Sequence, residues 1–153
     1  MEQILIAVDE DPLAEKVIRQ GVLLAQKVGA KATVCHVMPE EHYRRIEERQ
    51  LREEQSFSVT QAETQAKVVV EEAVQALGTL EMDLDKIGAV GEPAETIVEL
   101  ARELDADLIV MGFEGLRGIE RLRALGSVSR EVMEKTKRPV LIVPAVKEIE
   151  NAP

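Results

Sequence analysis

Five short apolar runs punctuate the chain, and stretches with helical spacing separate them. The runs are QILIAV at 3–8, KATVCHV at 31–37, KIGAV at 86–90, DLIVM at 107–111 and PVLIV at 139–143. A strand apolar at successive positions is buried on both faces, which suits a parallel sheet covered by helices on each side. After the first run, Leu13, Val17, Val22, Leu24 and Val28 fall at helical intervals. Asp11 is placed to cap that helix, Pro12 to occupy its first position and Gly29 to end it. A second helix is expected from Ser58 to Leu77, with Ala62, Ala66, Val69, Ala73 and Ala76 on one side and Gly78 closing it. A third is expected from Ala94 to Leu104 around Ile97, Val98 and Leu100, and a last from Ser127 to Thr136. The alternation predicts an α/β fold: a single-domain, doubly wound, five-stranded, mostly parallel sheet with right-handed crossovers and helices on both faces.

With 153 residues there is material for one domain, expected at 1–144, followed by a polar C-terminal tail at 145–153. Residues 39–57, PEEHYRRIEERQLREEQSF, carry many charges and few apolar anchors, and read as a charged surface excursion, either a solvated helix or a mobile segment. Its functional alternative is a lid or a docking surface for an unidentified protein partner.

Aromatic residues make up only 2% of the chain and the formal net charge is −10. Both argue against nucleic acid, which calls for positive surface and stacking platforms, and the charge argues against an anionic membrane. No apolar run approaches the length of a membrane span and no basic-then-apolar leader opens the sequence, so a cytoplasmic protein is expected. The single cysteine, Cys35, lies inside an apolar run and reads as a buried, inert thiol. The two histidines, His36 and His42, have no partner cluster that would make a metal site, and His36 reads as a satisfied core or face residue. No nucleophile is paired with a base.

The segment MGFEGLRGIERLRALGSVS, 111–129, holds four of the nine glycines, Gly112, Gly115, Gly118 and Gly126. It follows an expected strand and precedes an expected helix. Glycine there lets backbone N–H groups approach a ligand, and a chain of such groups before a helix N-terminus is an anion site. From 112 to 130, Arg117, Arg121, Arg123 and Arg130 outnumber Glu114 and Glu120, giving a local charge of +2 in an acidic chain. A phosphorylated ligand suits that pattern, although glycines after a strand also serve plain turns. Gly-Lys-Ser/Thr does not occur, so this is not a P-loop. Ligands of open parallel sheets sit beyond the carboxyl ends of the strands, here Val8-Asp9, Val37-Met38, Val90-Gly91 and Met111-Gly112.

In their joint order, ILIAVDEDPLAEK, CHV, GEPAETIVELARELDADLIVMG, the glycine segment with GSVS, and RPVLIVP resemble the universal stress protein family over nearly the whole chain. The resemblance implies an adenine nucleotide alpha hydrolase-like fold. It also implies, in one branch, ATP bound through Gly-x2-Gly-x9-Gly-Ser/Thr. Here Gly112-x2-Gly115 is followed by ten residues before Gly126-Ser127, one more than that pattern. By position, Asp9 resembles the acid facing adenine or ribose, and Val37 the apolar contact under the base. Met111, Gly112, Gly115, Gly126, Ser127, Val128 and Ser129 resemble the ribose and phosphate contacts, and Ala7 stands where some members have proline.

The resemblance therefore implies an adenine-nucleotide (ATP or AMP) binding stress-response or regulatory protein, at most a slow ATPase, with Mg2+ carried by the phosphates. The alternative is a non-nucleotide dimeric interaction module of the same fold. The last run, Pro139 to Val143, is short and closed by Pro144, and reads as an edge strand. Family members commonly dimerise through this strand, so a homodimer with Val140 or Ile142 buried between chains is expected.

Overall fold

The computed structural model describes residues 1–113 and 127–145. Five strands, β1 (Gln3–Ala7), β2 (Lys31–Pro39), β3 (Asp85–Gly91), β4 (Leu108–Phe113) and β5 (Val140–Pro144), form one sheet in the order β3-β2-β1-β4-β5. The expectation was a mostly parallel sheet; every pairing is parallel. β1 occupies the centre, with Ile6 opposite Val34 on one side and Val110 on the other. Asp107 fixes the start of β1, its Oδ2 accepting from the backbone N–H of Glu2 at 2.6 Å and of Gln3 at 3.0 Å.

Alternation within the strands sorts the core into two layers. Ile4, Ile6, Val34 and Val110 pack with α1 (Leu13–Val28) and with Val70 of α3 (Val59–Ala76). Leu5, Ala7, Cys35, Val37, Ile109 and Met111 pack with α4 (Pro93–Glu103) and with Val132 of α5 (Ser127–Lys135). Cys35 is fully buried, and burial pushes its thiol pKa up to about 12, so it is the inert residue expected.

Two helices differ in detail from the sequence pattern. In α1 the buried positions are Leu13, Ala14, Val17, Ile18, Gly21, Val22 and Ala25, whereas Val28 is exposed in the last turn. In α3 the inward stripe is Ala62, Ala66 and Val70, with Val69 only half-buried. Ser58 caps α3 through a reciprocal exchange with Gln61, Gln61 N donating to Ser58 Oγ at 3.1 Å and Ser58 N to Gln61 Oε1 at 2.8 Å. Gly88 explains how closely α3 lies on the sheet: a Cβ there would collide with the backbone of Glu63 and Lys67.

Residues 40–52 form a helix, α2 (Glu40–Arg52). It is less detached than its composition suggests. Ile46 and Phe57 are buried in a small cluster with Met38, Ala62 and Ala66, and the Tyr43 and Phe57 rings lie 5.7 Å apart. Two well-placed apolar residues are enough to latch a helix whose other positions are solvated.

Candidate functional site

β2 and β4 leave β1 in opposite directions, so the chain order reverses at the centre of the sheet and opens a crevice beyond the strand ends. A cleft of about 380 Å3 occupies that position. Of the ten residues expected to bind a cofactor, Ala7, Asp9, Val37, Met111, Gly112, Val128 and Ser129 line it together. Ser127 opens α5, while Gly115 and Gly126, with the ten-residue spacer between them, lie outside the described residues.

The walls divide by chemistry. Val37, Ile97, Met111 and Val128 supply apolar surface from β2, α4, β4 and α5. Asp9 stands at the mouth with its side chain 82% exposed, and Glu10 N donates to its Oδ1 at 2.8 Å. Asp11 is partly buried beside it and accepts from Ala14 N at 3.1 Å, the cap expected for α1. Burial, and then the neighbouring Asp9 charge, hold the Asp11 carboxyl above the usual carboxylate range, against the backbone N–H groups of Leu13 and Ala14.

Gly112 has a packing reason of its own. A Cβ there would lie 2.7 Å from Leu13 Cδ2 and 2.8 Å from Val17 Cγ2, so its bare backbone lets α1 settle on β4. Of the expected strand ends, Val90-Gly91 does not line the cleft, because β3 lies at the far edge of the sheet.

The sequence reading missed several lining residues. His36, Asp11, Pro39, Pro93, Ile97 and Phe113 also border the cleft. His36 is the most consequential. It is 8% exposed, and its Nδ1 lies 2.9 Å from the carbonyl oxygen of Val8 and 4.0 Å from Asp9 Oδ1. Its signal in the sequence was its place beside Val37 at the end of an apolar run. The strand alternation that puts Val37 on one face puts His36 on the other, which favoured reading it as a core residue.

A sequence profile of the universal stress protein family matches residues 1–144. The chain belongs to the universal stress protein family. A relative in that family, the universal stress protein Sll1388 of Synechocystis, is 30% identical, with 92% of this chain and 96% of the relative covered. Among solved structures, MJ0577 of Methanocaldococcus jannaschii superposes with a TM-score of 0.71 at 27% identity, covering 96% of this chain and 98% of that one. A universal stress protein from Archaeoglobus fulgidus in complex with dAMP superposes at a TM-score of 0.50 and 27% identity, covering 93% and 97%. Among the described residues of this family member, no helix is long and apolar enough to cross a membrane.

Proposed function

We propose that this universal stress protein binds an adenine nucleotide in the cleft at the carboxyl ends of β1, β2 and β4, and that it acts as a nucleotide-responsive regulatory protein. The observation that carries this reading is the convergence of Asp9, Val37, Met111, Gly112, Val128 and Ser129 on one cleft. Its volume suits a small-molecule site. The dAMP complex of the Archaeoglobus relative supports the ligand class.

The residues present fit an adenosine moiety. The apolar walls suit the faces of a base, and the exposed Asp9 carboxylate suits ribose hydroxyls or a base amino group. Phosphates belong at the opposite end from Asp9 and Asp11, whose charges repel them. The N-terminus of α5 at Ser127 offers backbone N–H groups there, as the GSVS resemblance implies. Mg2+, if carried, enters with the phosphates. Hydrolysis is slow in this reading, well below the roughly 1–100 per second of kinases, since the segment supplies neither a P-loop lysine nor an identified base.

Titration calorimetry with AMP and ATP tests the proposal, using the parent protein and Asp9→Ala. Asp9 is exposed, so its removal leaves the fold intact. Saturable binding by the parent, weakened roughly tenfold or more in the variant, supports the site. Absence of binding by the parent overturns it and leaves the scaffold reading.

A homodimer formed through β5 belongs to the same reading. β5 is an edge strand, Val140 and Ile142 are half-buried, and Leu141 and Met133 of α5 are 40% and 49% exposed. An apolar edge of this kind pairs with a second copy of itself across a twofold axis.

A further inference from the structure

We propose that His36 Nε2 reads the base of the bound nucleotide, selecting an exocyclic amino group over a keto oxygen; the inference rests on the nucleotide reading above. A backbone carbonyl only accepts hydrogen bonds. The 2.9 Å contact with Val8 O therefore requires Nδ1 to carry the proton. In the neutral ring this leaves Nε2 with its lone pair free to accept.

His36 is nine-tenths buried, yet Nε2 has no hydrogen-bond partner among the described residues and is not sealed in the core. The imidazole borders both the nucleotide cleft and an adjoining groove of about 560 Å3 between α2 and α3. The ring is largely buried and borders the cleft while Nε2 itself stays accessible, so a ligand donor can complete this acceptor.

The neighbouring groups reinforce the selection. Asp9 and Asp11, on the same side of the cleft, are carboxylates and also accept. This side thus presents acceptors, which an adenine-type 6-amino group satisfies and a hypoxanthine-type 6-oxo group opposes. Rejection of a base that lacks the donor is sharper than apolar contact alone could give.

The test compares binding of AMP, IMP and purine riboside 5′-monophosphate, which share ribose and phosphate and differ at position 6 of the base. The parent protein is expected to bind AMP about tenfold more tightly than IMP, with purine riboside monophosphate in between. His36→Asn keeps an N–H donor near the Nδ1 position for Val8 O but places nothing at Nε2. Its AMP-to-IMP ratio is expected to fall close to one with an unchanged unfolding midpoint. His36→Gln restores an acceptor near Nε2 and keeps AMP ahead. Equal affinity of the parent for AMP and purine riboside monophosphate overturns the inference, and needs no variant. So does an Asn variant that keeps the parent ratio. A parent that binds none of the three overturns the nucleotide reading itself, and this inference with it.

Discussion

Gly112 and Leu13 meet so closely that a methyl group on Gly112 would lie 2.7 Å from Leu13 Cδ2. The glycine at the end of β4 therefore sets the seat of α1 as well as lining the cleft. Gly112→Ala is expected to cost about 1–3 kcal/mol of folding stability, measured by urea unfolding without ligand. An unchanged midpoint would show that α1 yields and that the glycine serves the ligand alone.

Two aspartates should give opposite responses to acid. Asp107 accepts from the backbone N–H of Glu2 first and of Gln3 second, and these bonds hold its pKa below the ordinary 3.8. Its contribution is present above 3.8 and is lost as pH falls through the lowered folded value. Asp107→Asn should therefore destabilise at neutral pH and make little difference at the lowest pH.

Asp11 behaves in the reverse sense, since burial and then Asp9 raise its pKa above 3.8. The folded chain holds that proton more tightly, so stability declines as pH rises from 3.8 through the raised value. Asp11→Asn retains a capping oxygen and removes the charge, so it should be more stable than the parent above that window. Denaturant midpoints across the acid range, for parent and both variants, check the two signs.

Phe57 and Ile46 latch α2 to the body through the cluster that includes Met38, Ala62 and Ala66. Phe57→Ala should cost about 3–5 kcal/mol if the loss is felt globally. If α2 opens as a local unit, amide exchange should accelerate in residues 40–52 while the central strands stay protected. Protection of α2 equal to the parent's would mean that these contacts do not hold it.

The proposed dimer has a direct solution test. Val140→Lys combined with Ile142→Lys places two charges on β5 and should give a folded monomer by light scattering, where the parent gives a dimer. A monomeric parent at micromolar concentration would refute the β5 interface.

The parallel sheet was legible because its central strands β1, β2 and β4 are buried on both faces, which leaves unbroken apolar runs such as ILIAV that no surface element needs. The cleft residues were legible where strand ends and glycines coincided with a family pattern, as at Asp9, Val37 and Met111-Gly112. What escaped depended on spatial relations with no local signature. The orientation of the His36 ring is set by the Val8 carbonyl just past the end of β1, and Gly112 meets a helix ninety-odd residues earlier. Ile46 and Phe57 were diluted by the charges around them, although one buried residue per few turns was enough to hold the segment.

The central place of β1 also sets an order of assembly. Its first partner, β2, follows within one short crossover, but its other edge waits for β4, where Ile4 meets Leu108. During synthesis, the strands before β4 can assemble around α1 and α3 while one side of β1 keeps its backbone donors and acceptors unpaired. That half-built sheet is a template for any extended chain nearby, including a sister nascent chain. The step that closes β4 against β1 thus both completes the cleft and covers that open edge.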